Sequence, residues 1–290
     1  MDGFLLINKP RGPSSFRIVS RLRRILCIKK IGHAGTLDPL ASGLLVIAIG
    51  NATRLIQYIP SEPKVYQFGI QFGKQTDTLD SEGCIVCQGG KIPLELQLRK
   101  VLENFVGEQM QKPPEFSALK IDGVRAYELA RKGKKAPLQS RKINIYSIQL
   151  TEYNSQTAQA NLEVCCSGGT YVRALARDIA TSLDSCGYAT FVYRKGSGIF
   201  DISSAIDIDN CDNVKKYIIP VRKVFGDYPS IEVSLDQNNL IANGRDIKIS
   251  QSLLSESNMV FAYKNGMLLA VLRHKEDNIY HPSHVFFQSR

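Results

Sequence analysis

The chain has 290 residues, 43% of them apolar and 22% charged, which is the balance of a soluble globular protein with room for one large domain, or for a domain plus a small module. Its net charge of +10 points to a polyanionic partner. No apolar stretch approaches the ~20 residues of a membrane span, the start Met1-Asp2-Gly3 lacks a signal-peptide pattern, and seven scattered cysteines argue against a disulfide framework and for a reducing cytoplasm.

In chain order, Ser14-Ser15 reads as a helix start and Phe16 to Leu26 as the helix. Val19, Leu22 and Leu26 lie on one face and Arg17, Arg21 and Arg24 on another, a basic face suited to solvent or to phosphate. Gly32-His33-Ala34-Gly35-Thr36-Leu37-Asp38-Pro39-Leu40-Ala41-Ser42-Gly43 follows, with one imidazole, one carboxylate and three glycines in a short connection. An Asp before Pro favours a turn with the Asp at its exposed corner. The run Leu44-Leu45-Val46-Ile47-Ala48-Ile49 reads as a buried strand that holds this corner rigidly. A carboxylate mounted so suits nucleophilic catalysis; on spacing alone the plainer reading, an Asp-Pro turn entering a strand, is favoured, since turns far outnumber active sites.

Lys64 to Gly73 alternates, with Tyr66, Phe68, Ile70 and Phe72 on one side of a half-buried strand. Cys84-Ile85-Val86-Cys87 has metal-type spacing but no second pair, so it reads as structural thiols, and no metal is expected. Leu94 to Val106, ended by Gly107, is an amphipathic helix with Leu98, Val101, Leu102 and Phe105 inward. Tyr127 to Lys132 makes a short helix running into the basic loop Arg131-Lys132-Gly133-Lys134-Lys135. Ile143, Ile145, Leu162 and Val164 mark paired strands before a Gly168-Gly169 turn. A helix then runs from Thr170 through Leu183, closed by Gly187. From about Tyr228 the strands are short: Ile231-Glu232-Val233, Val260 to Tyr263 and Leu268 to Leu272, with turns at Asn243-Gly244 and Asn265-Gly266. Strands and helices intermix without a regular βαβ repeat, so the fold class is α+β. The divisions expected are residues 1–228 and a small all-β module over 229–290.

The block from Gly32 to Leu45 resembles the signature of the TruB family of tRNA pseudouridine synthases. Further matches lie in the same order. They are Gly3 to Pro10 with Gly12, Ser14 and Ser15; Lys64-Val65-Tyr66; Thr76 to Gly83; Pro113 to Lys120 through Arg125-Ala126-Tyr127-Glu128; and Ser167-Gly168-Gly169-Thr170-Tyr171-Val172-Arg173. The resemblance implies a catalytic domain built on a large mixed or antiparallel sheet with a central cleft. The end of the chain is similar to the PUA-type RNA-binding module that closes many such chains.

The implied activity is conversion of uridine 55 in the T arm of tRNA to pseudouridine, by base flipping and without a cofactor. Asp38 is implied as the essential carboxylate, attacking the sugar C1′ or the base C6, with Arg173 as its ion-pair partner. By position alone Arg173 is a helix-capping or phosphate-contacting Arg. Tyr66 reads by pattern as a core aromatic; the resemblance sets it against the target base, stacking and, in one reading, assisting proton removal. Tyr171 and His33 are implied nucleotide contacts, Val192 an aliphatic wall of the base pocket, and Lys64 a further substrate contact. At Val192-Tyr193-Arg194-Lys195 the sequence departs from the family's usual leucine, two arginines and threonine. Arg17, Arg21, Lys29-Lys30, the Arg131 to Lys135 loop, Arg141-Lys142 and Lys120 are candidate phosphate contacts. The expected partner is tRNA, with no membrane, no obligatory protein partner and a monomeric, cytoplasmic enzyme. Three alternatives remain open at this point: a guide-RNA-dependent relative (against which the short N-terminus argues), a non-catalytic RNA-binding protein, and a base-excising glycosylase.

Overall fold

The computed structural model describes the chain except residues 118, 122, 134–136, 210–212, 250–257 and 287–290. Strand β1 (Gly3–Lys9) leads to helix α1 (Ser15–Leu26), where Arg17 N–H donates to the Ser14 hydroxyl and Ile18, Val19, Leu22 and Leu26 are buried. Strands β2 (Ile31–Ala34) and β3 (Ser42–Ile49) flank the Asp38 loop, and a 3-10 helix, Gly50–Tyr58, precedes β4 (Lys64–Phe72). A hairpin of β5 (Lys74–Thr76) and β6 (Ile85–Gln88) leads to α2 (Glu95–Glu103) and β7 (Gly107–Gln111). A second hairpin, β8 (Lys120–Ile121) and β9 (Val124–Arg125), runs into α3 (Ala126–Arg131). Next come β10 (Arg141–Asn154), β11 (Gln159–Cys166), α4 (Val172–Thr181), β12 (Gly187–Ser197), β13 (Phe200–Asp201), β14 (Ile219–Pro220) and α5 (Val221–Val224).

The large sheet runs in the order β14-β1-β3-β12-β4-β11-β10-β7, with β2 on β3 and β13 on β12. It is mixed because β12 meets β3 in parallel while its other pairings are antiparallel. A second, five-stranded sheet, β15-β17-β18-β19-β16, is built from β15 (Ser230–Glu232), β16 (Ile247–Lys248), β17 (Met259–Lys264), β18 (Met267–Glu276) and β19 (Ile279–Val285). This is the mixed-sheet α+β architecture with a PUA-like β module. The module also carries a helix, α6 (Leu235–Ala242), capped by Ser234. Asn243-Gly244 therefore closes a helix, with Gly244 at φ +66°, and is not a hairpin turn. Among the described residues, no helix is long and apolar enough to cross a membrane.

Burial explains the two strand patterns. Strands β1 and β3 are covered on both faces. One core joins Leu5, Ile7, Leu45 and Ile47 to α1, and another joins Phe4, Leu6, Leu44 and Val46 to Phe225, Phe261 and Phe286. A strand covered on both faces reads as a continuous apolar run, as 44–49 does. Strand β4 is covered on one face by Tyr66, Phe68, Ile70 and Phe72, and so alternates.

Three further expectations are corrected. Helix α4 begins at Val172, not Thr170, and ends at Thr181; Gly187 opens β12, where a Cβ would collide with Ala180 Cβ on α4. Helix α2 stops at Glu103, and Gly107, at φ +104°, turns the chain into edge strand β7. Cys87 on β6 pairs as a disulfide with Cys186, 99 residues away, because the β5-β6 hairpin folds against the start of β12, with Gly73 N–H donating to Cys186 C=O. Of the basic loop after α3, Lys134 and Lys135 lie outside the described residues.

Candidate active site

The Asp38 loop is tied down on both sides of the carboxylate. The Ser15 hydroxyl, on the first residue of α1, donates to Leu37 C=O (3.0 Å) and accepts from Leu37 N–H (2.9 Å). Pro39 C=O accepts from Gly12 N–H (2.8 Å) and from Lys9 Nζ (3.4 Å), and Ala41 N–H closes on Asp38 C=O (3.1 Å). Leu37, Leu40 and Ala41 are buried beneath. Lys9 is fully buried and also donates to the carbonyls of Pro10 and Pro13; burial lowers its pKa to about 8, with Asp38 pulling the other way. The loop's glycines admit close neighbours. Gly43, at φ +95°, lies so near Arg194 that a Cβ would stand 2.8 Å from its backbone N.

Arg173, near the start of α4, reaches Asp38 through Nε (2.9 Å) and Nη2 (2.7 Å), both to Oδ2. Nη1 donates to Thr78 C=O (2.6 Å), Nη2 to Phe116 C=O (2.8 Å), and Nη1 stands 3.4 Å from Asp80 Oδ2. Asp80 is itself buried, its Oδ1 accepting from the Thr78 hydroxyl (2.6 Å) and from Glu82 N–H (3.0 Å). The guanidinium is thus a buried hub between two carboxylates, which fixes its own plane and the position of Asp38 Oδ2.

A cleft of about 330 Å³ opens over Asp38, lined also by Lys64, Tyr66, Tyr171, Arg173 and Val192. Six residues predicted from sequence therefore meet in one place. Tyr66 is buried on β4 beside the Arg194 guanidinium; burial raises its phenol pKa and Arg194 opposes the rise. Lys64 Nζ donates to the Ser197 hydroxyl (2.6 Å), and its pKa is lowered to about 8 by burial and then by Arg194. His33 is not in this lining. It lies half-buried on β2, two residues before Gly35, with Nδ1 buried and without a hydrogen-bond partner among the described residues; burial lowers its pKa.

Four residues of the site were not assigned from sequence. Arg194 is 1% exposed and donates to Leu44 C=O (2.7 Å) and Gly35 C=O (3.2 Å), tying β12 to both ends of the loop. Asp80 and Lys9 sit inside recognised motif blocks but have no local signal for a buried charge. Gln111, on β7, is buried and holds the Tyr171 peptide from both sides, accepting from its N–H (2.8 Å) and donating to its C=O (3.1 Å). A larger cavity of about 520 Å³ lies elsewhere, between the N-terminus and the second sheet, lined by Asp2, Asn51, Arg222 and Tyr263. No cluster of three or more His, Cys, Asp or Glu suited to a metal occurs among the described residues.

Residues 23–172 match the family model described as TruB family pseudouridylate synthase (N terminal domain). A protein of Aquifex aeolicus (strain VF5) named tRNA pseudouridine synthase B is 40% identical over 253 residues, covering 86% of this chain and 88% of its own. One of the same name from Ehrlichia ruminantium (strain Gardel) is 36% identical and covers 99% of both chains. Among solved structures, one described as a Cbf5-Nop10-Gar1 complex superposes with a TM-score of 0.70 at 22% identity, covering 98% of this chain and 85% of that one, a likeness of fold.

Proposed function

Because the chain belongs to the TruB family of pseudouridylate synthases, we propose that it converts the uridine at position 55 in the T arm of tRNA to pseudouridine, with Asp38 as nucleophile. The observation that carries this reading is the Asp38–Arg173 pair, which presents one oriented carboxylate to a cleft lined by Tyr66, Tyr171 and Val192. The reaction is an isomerisation. The C1′–N1 bond breaks, the uracil turns, C1′–C5 forms, the C5 proton leaves and N1 gains one. One carboxylate that adds to C1′ or C6 and then departs is sufficient, without oxidant or group donor.

The residues divide the work. Arg173 holds Asp38 in one rotamer through its Nε and Nη2 contacts to Oδ2. Tyr66 and Val192 hold the uracil between an aromatic face and an aliphatic wall, and Tyr171 borders the sugar-phosphate side. Lys64 and Arg194 supply positive charge, which offsets the few kcal/mol needed to unstack a base from a folded arm. His33, half-buried on β2 outside the cleft, contacts a neighbouring nucleotide. Residues 1–228 act as the catalytic domain and 229–290 as an RNA-binding module on the acceptor side. The enzyme works as a cytoplasmic monomer on tRNA without an obligatory protein partner.

Pseudouridine mapping on an unmodified tRNA transcript incubated with the purified chain tests the activity and its independence of other factors. Pseudouridine at position 55 is expected. No product without added guide RNA or proteins would indicate a guide-dependent enzyme, and free uracil a glycosylase.

A further inference from the structure

The cleft holds more cationic side chains than Asp38 and Asp80 can neutralise. Lys64, Arg141, Arg173 and Arg194 all line it. Arg173 is matched by its two carboxylates, Arg194 is spent on backbone carbonyls, and Lys64 rests on a hydroxyl. Arg141 differs. Its side chain forms no ion pair and no hydrogen bond among the described residues, and its Nε is buried without an acceptor. Arg141 thus lines the cleft with a guanidinium that has no acceptor in the protein among the described residues.

Its placement is nevertheless built. Arg141 Cζ stands 4.2 Å over the Tyr171 ring. On Gly169, at φ +81°, a Cβ would lie 3.5 Å from Cζ and 3.6 Å from each Nη, which puts it over the guanidinium plane. Tyr171 packs against the guanidinium carbon and Gly169 lies over a face of the group, so the N–H edge, without a protein acceptor among the described residues, is what remains for a ligand. That edge matches two oxygens of one phosphate. Across the β7-β10 ladder, Arg141 pairs in register with Gln111, which grips the Tyr171 peptide. One rung of the sheet thus fixes Tyr171 from its ring and from its backbone.

We propose that Arg141 is a phosphate seat: its N–H edge binds one of the two phosphodiesters flanking the extruded uridine, with Tyr171 setting the plane. This rests on the RNA-modifying reading above and assigns Arg141 a ligand separate from its neighbour Lys142, which pairs with Glu108 on the surface. A nucleotide leaving its stack carries both flanking phosphates toward the cleft, and a planar clamp there fixes its rotation.

The test combines a protein change with an RNA change. Wild type, Arg141→Gln and Arg141→Lys are assayed for pseudouridine formation on a T-arm stem-loop RNA. The same RNA is then made with a neutral methylphosphonate at either linkage flanking the target. On the all-phosphate RNA, Arg141→Gln is expected to lower kcat/KM by about 10- to 100-fold, mainly through KM, and to remove about one unit from the salt slope of binding. At one linkage, and not the other, the methylphosphonate should cost wild type a similar factor and cost Arg141→Gln little more. Additive losses at both linkages would overturn the proposal. If Arg141→Gln proves misfolded by circular dichroism, Arg141→Lys carries the same comparison, since it keeps the stem and charge but not the fork. Absence of product from wild type on the parent RNA would instead overturn the functional reading beneath it.

Discussion

Asp38 and Arg173 form an ion pair whose two ends live in different environments. The Arg173 side chain is 5% exposed and the Asp38 side chain 42%. The cation is held inside by four protein acceptors, while the anion faces the cleft with its second oxygen, Oδ1, left for chemistry. An exposed pair contributes little and a buried pair costs desolvation. Here only the cation is desolvated, and Asp80 compensates it from behind.

Replacing Asp38 with Asn keeps the shape of the loop, since Leu37, Pro39 and Ala41 hold it through their backbones. Asp38→Asn is therefore expected to fold and bind tRNA as wild type does while forming no pseudouridine. Product from this variant in a mapping assay would remove Asp38 from the nucleophile's role. His33→Ala, outside the cleft, should impair the reaction far less.

Arg173 carries stability as well as catalysis. Arg173→Ala leaves Asp80 a buried, unpaired charge and is expected to cost about 3–5 kcal/mol in denaturant unfolding. Arg173→Lys restores charge but not the fork that spans Asp38, Thr78 and Phe116, so kcat should fall by about 10²- to 10³-fold with much less loss of stability. Equal losses of stability in the two variants would show that charge alone does not hold Asp80.

Local signals were legible and long-range ones were not. Ser14 before a periodic apolar face announces α1, and the alternation around Phe68 announces β4, because capping and period are written within a few residues. The all-apolar 44–49 run records a strand covered twice, although nothing in it says by what. Gly187 misled because a glycine after a helix ordinarily marks its C-cap; here the missing Cβ lets β12 approach α4. Strand β7 was invisible since Gly107-Glu108-Gln109-Met110-Gln111 has neither alternation nor β-branched residues and acquires its form from pairing with β10. At the site, the Asp38 block carried the resemblance, whereas Arg194 and Gln111 act through partners distant in sequence, and Asp80 reaches the site through Arg173, 93 residues on.

Gln111 offers a test of positioning without touching the reacting groups. Gln111→Ala leaves the Tyr171 N–H and C=O without partners at the entry to α4, at an expected cost of about 1–3 kcal/mol. Displacement of Tyr171 and of Arg173, two residues on, should lower kcat by up to about 10²-fold. Gln111→Glu retains the acceptor for Tyr171 N–H but loses the donor to its C=O, so an intermediate kcat is expected. A loss of stability with unchanged kcat would make Gln111 purely structural.

Lys64 couples activity and stability to pH in opposite senses. Its pKa falls from 10.5 to about 8 because burial, and then Arg194, disfavour the charged form. In the free enzyme the cleft accordingly loses a positive charge as pH rises past about 8. The value of kcat/KM for RNA, which reports the free enzyme, should fall there by up to about tenfold per pH unit. Lys64→Arg, charged throughout, should flatten that limb. Stability moves the other way. Between about pH 8 and 10.5 the unfolded chain holds a proton on Lys64 that the folded chain has released, so this residue's contribution to unfolding free energy rises with pH. Subtracting the stability profile of Lys64→Met from that of wild type should isolate that rise, because Met has no proton to release. A flat difference profile beside a falling kcat/KM would assign the activity change to another group, and Lys9, buried with a pKa of about 8 beneath the Asp38 loop, is the next to substitute.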